Sequence, residues 1–239
     1  MLCINLPGRQ IEYTLPLHPS PASRGGDGGG VNGKIPWGLT TFISMTNHRN
    51  LLDKILSDNE HYVRTHDLDF FLGHSRGQSP QVTMLTCSDS RVTSQIIVQD
   101  PINRVFVIKN IGNQVATCEG SLDYGIYHLK TPLLLIVGHT DCGAIQARMQ
   151  GVRGEPQTIR KELLSLPAYP ARSVQNTNYD QAVRENILNN IRYQVKIASD
   201  KYTDLIQRNE LRIIGAYYDF RNDLGKGWGR LVVLDDVAM

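Results

Sequence analysis

From residue 80 onward short aliphatic runs recur: QVTMLTC (81–87), RVFVIKN (104–110), PLLLIVGH (132–139) and LRIIGAYYDF (211–220). They are nearly continuously apolar where a one-sided strand would alternate, which predicts strands buried on both faces. The intervening segments carry the helical period. SLDYGIYHL (121–129) opens on Ser121 as an N-cap, and GAIQARMQ follows at 143–150. Val183, Ile187, Ile191, Val195, Ala198, Tyr202 and Leu205 share one face of a long helix. Strands alternating with helices imply an α/β fold, a central mainly parallel β-sheet flanked by helices. RLVVLDD (230–236) adds a C-terminal strand extension, and TNHRNLLDKILSDNEHYV (46–63), capped by Thr46 or Asn47, forms an N-terminal helical arm.

Residues 1–44 break the pattern. PLHPSPASRGGDGGGVNG is dense in Pro, Gly and Ser and has no period, which predicts a flexible tail, with residues 45–239 as one domain. The tail could be a targeting segment, a partner-binding arm or an upstream extension of the reading frame.

Composition narrows the function classes. The chain has 239 residues, enough for a sizeable core, with 41% hydrophobic and 20% charged residues. A net charge of +2 and no Lys/Arg stripe interleaved with aromatics argue against a nucleic-acid partner. The longest apolar run, Leu133–Val137, is too short to cross a bilayer, so no membrane partner is expected. MLCINLPGRQ lacks the pattern of a secretory signal, and four cysteines do not make a disulfide scaffold. A reducing, cytoplasmic setting is expected, with organelle targeting by the tail left open.

The candidate chemistry sits where two of the strands stop. TCSDSRV places Cys87 at the end of the first, and GHTDCGA places His139 and Cys142 at the end of the third. In a parallel α/β sheet ligands gather outside the carboxyl ends of strands. Two thiolates and an imidazole suit Zn2+, and three protein ligands leave a fourth position open, as in catalytic sites. Asp89 could take that position or accept a hydrogen bond from a metal-bound water; Arg91 has the planar fork to hold it bidentately away from the metal. A single cysteine after a buried strand is usually a small core residue, and Cys3 and Cys118 are read that way. CxDxR and HxxC together are too specific for that reading.

At this point the chain resembles the β-class carbonic anhydrases, from about Leu51 to Leu234, through CSDSRV, VFVIKNIGN, SLDYGIYHL, GHTDCGA and GAYYDF. The resemblance implies a Zn2+ ion on Cys87, His139 and Cys142, and an Asp89–Arg91 catalytic pair. GQSP resembles the plant-like branch, which implies that Gln78 donates a hydrogen bond to substrate. It further implies pocket walls from Phe106, Ile111 and Tyr124, and a substrate-facing backbone amide at Gly143. Glutamine and walls come partly from a neighbouring subunit in that family, so a homodimer or higher homo-oligomer is expected.

Two departures stand out. Lys109 occupies a position where the family often has arginine, and Met84 stands where a regulated branch carries a tryptophan of a non-catalytic bicarbonate site, so no such switch is expected. The activity implied is reversible hydration of carbon dioxide to bicarbonate and a proton by zinc-bound hydroxide. Hydrolysis of carbonyl sulfide or carbon disulfide at the same site is the alternative, and a non-catalytic zinc-binding protein the remaining one.

Overall fold

The computed structural model describes residues 48–169 and 179–234. The proposed tail and the Thr46 or Asn47 cap lie outside the described residues. Two compact units divide the chain, Met1–Glu60 and His61–Met239. The helix α1 (His48–Arg64) spans the boundary. In the first unit it shows an i,i+4 ion pair, Lys54 to Asp58 at 3.1 Å, and Leu51, Leu52, Ile55 and Leu56 are exposed.

In the second unit the end of α1 is followed by α2 (Leu68–Gly73), capped by the Asp67 carboxylate, which accepts from the Phe70 amide at 2.8 Å. The sheet follows: β1 (Val82–Cys87), β2 (Val105–Asn110), β3 (Leu133–His139), β4 (Arg212–Asp219) and β5 (Arg230–Val233). Its order is β2-β1-β3-β4-β5, parallel except for the antiparallel β4–β5 pair. The helices α3 (Glu119–Asp123), α4 (Gly143–Gln150), α5 (Gln157–Leu164), α6 (Tyr179–Lys201) and α7 (Thr203–Gln207) connect the strands.

Burial on both faces explains the apolar runs of β1, β3 and β4, whereas β2, expected to be buried likewise, lies at the sheet edge with only Ile108 buried and Val107 39% exposed. Leu85, Leu134 and Ile136 enter a cluster with Ile187, Ile191 and Val195 of α6, while their neighbours Met84, Leu135 and Val137 enter a second cluster with Val92 and Ala216. Each such aliphatic side chain contributes about 1.5–3 kcal/mol on leaving water. The helix crosses the sheet closely: a Cβ on Gly138 of β3 would stand 2.7 Å from Ile191 Cδ1, so any larger residue there must push the Ile191 side chain aside.

The helical expectations hold with three changes. GAIQARMQ is α4 as read. Ser121, read as an N-cap, lies inside α3, which starts at Glu119 and passes into a π-helical turn at Tyr124–His128. That turn arises where the Leu129 amide donates to Tyr124 O, one residue further back than an α-helix allows. The long helix ends at Lys201; Tyr202 stays buried, but Leu205 belongs to α7.

Candidate metal centre

The strand order places a topological switch beside the candidate ligands. The chain runs from β1 out to β2, then returns to the other side of β1 as β3, so the loops after β1 and β3 leave in opposite directions and open a crevice. Cys87 is the last residue of β1 and His139 the last of β3. Cys142 caps α4. All three are buried, with His139 wholly inaccessible.

Their ligand atoms lie within 4.8 Å of one another. The Cys87 and Cys142 sulfurs are 3.9 Å apart. Two thiolates on a tetrahedral zinc at about 2.3 Å each would stand about 3.8 Å apart, so the spacing suits that ion. His139 supplies a second observation. Its Nδ1 lies 2.9 Å from Thr140 O, which fixes the proton on that nitrogen and leaves a lone pair on Nε2. Nε2 is buried without a hydrogen-bond partner, as a ligand atom would be. The two thiols are also within hydrogen-bond reach of one another. The contact with Cys142 draws the Cys87 thiol below its ordinary range, and the Cys87 sulfur together with burial pushes Cys142 well up.

Asp89 and Arg91 stand at the mouth of this cluster. Arg91 Nε donates to Asp89 Oδ1 at 2.9 Å, its terminal nitrogen to Oδ2 at 2.7 Å, and its main-chain amide to Oδ1 at 2.9 Å. These bonds hold the Asp89 carboxyl at about 2. Asp89 Oδ2 lies 3.9 Å from His139 Nε2. Arg91 is gripped on its other sides by Asp141, through Oδ2 at 3.5 Å and the carbonyl at 3.3 Å, and by the Phe220 ring, 4.8 Å from Cζ. Phe220 also stacks on the His139 ring at 6.0 Å.

The five other candidate residues divide into two groups. Ile111 and Gly143 lie at the metal end: Ile111 follows Asn110, the register partner of Cys87, and Gly143 follows Cys142. The Ile111 loop is pinned by the Gln114 amide side chain on Ile111 O at 2.7 Å. It also needs Gly112, at φ 81° and with Leu166 Cδ2 3.0 Å from where a Cβ would be. Beside Gly143 the space is open.

Gln78, Phe106 and Tyr124 lie at the opposite end. Phe106 is in register with Thr83, four residues before Cys87 and therefore about 13 Å from it along the strand. The Tyr124 ring sits 5.8 Å from that of Phe106, half-exposed. Gln78 lies farther out and is exposed, on a segment held by the Ser79 amide on Asn103 Oδ1 and the Gln81 amide on Arg104 O. These three cannot line the metal cluster of their own chain.

Three residues beyond the sequence reading belong to the site: Thr140, Asp141 and Phe220. Asp141 lies inside the HTDC spacing and Phe220 ends the GAYYDF run, but neither carries a pattern that says which side chain it will meet.

A buried Cys-His-Cys cluster at the switch point of a mainly parallel α/β sheet defines the class, and the solved structures it resembles are β-carbonic anhydrases. Tetrameric β-carbonic anhydrases of Sordaria macrospora superpose with a TM-score of 0.68 at 24% identity, covering 78% of this chain and 98% of that one. A Coccomyxa enzyme solved with acetazolamide gives 0.62 at 22% identity, covering 80% and 87%. The family model for carbonic anhydrase matches residues 82–226, and the chain belongs to that family. A carbonic anhydrase of Emericella nidulans is 36% identical over 118 residues, 46% of this chain and 50% of that protein. The chain thus spans half the length of that relative, and the match to a Synechococcus elongatus carbonic anhydrase covers 40% of the relative at 32% identity.

Proposed function

We propose that this protein catalyses the reversible hydration of carbon dioxide to bicarbonate and a proton, with one zinc ion per subunit on Cys87, His139 and Cys142. The observation that carries the reading is the ionised Asp89 carboxylate, held on Arg91 and standing 3.9 Å from the unpartnered Nε2 of His139. A zinc ion bound there supplies a water acidic enough to lose its proton near neutral pH.

The protein's own groups do the rest. Both Asp89 oxygens accept from Arg91, which fixes the carboxylate plane and keeps it charged. Its remaining Oδ2 lone pair accepts the hydrogen of the attacking oxygen and so aims that oxygen's lone pair at carbon. Ile111 contributes an apolar wall, suited to an uncharged linear substrate. Gly143 is the first residue of α4, where a helix leaves its amides without intrahelical acceptors, and its amide can donate to the substrate oxygen that gains charge. Phe106, Tyr124 and Gln78 complete the pocket of a second subunit, since their place at the far end of the sheet keeps them from their own. The smallest competent unit is then a homodimer.

Stopped-flow carbon dioxide hydration on zinc-loaded protein tests this reading. Wild type should turn over. Cys87→Ser should lose both zinc and activity, while Asp89→Ala should keep its zinc and lose roughly 100-fold in kcat, the usual size of a proton-handling contribution. Turnover of carbonyl sulfide or carbon disulfide without carbon dioxide would reassign the substrate, and full activity in Cys87→Ser would remove the metal from the reaction.

A further inference from the structure

The turn that carries Asp89 and Arg91 is fastened to the neighbouring strand by one side chain with no role in the reading above. Lys109 stands on β2 opposite Thr86, one step before the strand level of Cys87. Its Nζ donates to Val92 O at 2.7 Å and to Asp89 O at 3.0 Å, the two carbonyls that bracket the turn. The turn's internal bonds are the Val92 amide on Asp89 O at 3.2 Å and the Arg91 amide on Asp89 Oδ1 at 2.9 Å. The Val92 side chain is fully buried in the second core cluster and anchors one end. The Ser88 amide on Asn110 O, at 2.9 Å, is the last strand-type bond to β2. Beyond Ser88, Lys109 carries the main chain of the turn back to that strand.

We propose that Lys109 is a positioning residue. It clamps the Asp89–Val92 turn so that the Asp89 carboxylate stays on Arg91 and off the metal. The inference rests on the carbonic anhydrase reading for its kinetic consequence, though not for its structural one. Asp89 has two competing partners within reach. Arg91 holds it now, and the metal position lies on the side of His139 Nε2, 3.9 Å from Oδ2. A carboxylate that turned to the metal would fill the open fourth position and leave no room for water. Rotation of the turn is what would carry it there, and such rotation must break both bonds to Lys109. An ammonium with three donors can satisfy two carbonyls at once, whereas an apolar side chain of the same length satisfies neither. An arginine has donors enough to do the same, so the clamp requires a cation here and not lysine in particular.

The test uses the full chain as Lys109→Met, Lys109→Gln and Lys109→Arg, alone and in an Asp89→Asn background. Lys109→Met should bind one zinc and lose about 10-fold in kcat with KM little changed, as expected for a change in the share of competent sites. With cobalt in place of zinc its visible spectrum should shift as the fourth ligand changes. Lys109→Arg should restore both. In Asp89→Asn the Lys109→Met change should alter neither rate nor spectrum, because the group it positions is gone; an equal loss in that background would overturn the proposal, as would wild-type rate and spectrum in Lys109→Met. Should Lys109→Met fail to fold, Lys109→Gln takes its place with hydrogen exchange as the measurement. The Arg91 and Val92 amides should exchange about 10-fold faster than in wild type, and unchanged exchange overturns the clamp. A wild type without carbon dioxide hydration would defeat the proposed function alone, since exchange and cobalt spectra still judge Lys109.

Discussion

At the scale of single residues, the site is a set of groups whose ionisation is set by neighbours two to four ångströms away. Asp89 is the clearest case. Hydrogen bonds from Arg91 hold its carboxyl at about 2, against 3.8 for an unperturbed aspartate. A depressed folded-state value contributes stability that is complete above the unfolded value, near 4, and disappears as pH falls toward 2. The Arg91 side chain is 46% exposed, so screening limits the contribution to about 1 kcal/mol. Urea unfolding of the metal-free protein should therefore show wild type about 1 kcal/mol above Asp89→Asn at pH 6, with the two converging near pH 2. A gap of the same size at both pH values would show that the pair does not stabilise the fold through charge. The Cys87, His139 and Cys142 cluster and the Asp89–Arg91 bonds follow CxDxR and HxxC closely, because side chains two or three residues apart at a strand end have few places to go. The carbonyls that Lys109 would reach were not legible, since a lysine on a strand gives no sign of its acceptors.

At the scale of elements, β1, β3 and β4 matched their apolar runs because burial on both faces leaves a local mark in the sequence, while β2 kept an apolar run at a half-exposed edge. The start of α3 did not match Ser121, and no side chain caps that helix. The π turn after it has no composition signal; it accommodates Gly125 against Thr83 and Phe106, a tertiary demand. Close packing also explains Gly138. Gly138→Ala must push against Ile191 and Ile187 of α6, both buried, and should cost about 1–3 kcal/mol. A shift of the urea midpoint with an unchanged m-value checks this. No shift would mean that α6 can move off the sheet, which would also loosen the strand that ends on His139.

For the whole molecule, the consequence of the sheet is that the candidate pocket residues of one chain fall into two groups at opposite ends of the strands. The candidate metal ligands, Ile111 and Gly143 are at the carboxyl ends of the strands, and Gln78, Phe106 and Tyr124 at the amino ends. If each pocket joins one half from each of two subunits, inactive chains should complement. A mixture of Cys87→Ser and Gln78→Ala subunits, refolded together, should recover up to about half the wild-type activity per hybrid dimer. In each hybrid one pocket has both its metal ligands and its glutamine, which follows from the two-fold symmetry of such a dimer. Activity no greater than that of the two variants measured apart would place both halves in one chain, and light scattering on the same samples gives the mass of the active species.

The sequence by itself determined the α/β class, the strands, the candidate Cys-His-Cys trio and the Asp-Arg pair, since each is written in residues close together along the chain or in the apolar runs of the central strands. Only the tertiary structure decided that β1 and β3 are neighbours, so that thiols 55 residues apart come to 3.9 Å. It also decided which candidate residues lie at the same end of the sheet. Strand order and register arise from packing between distant segments, and no stretch of sequence carries that information alone.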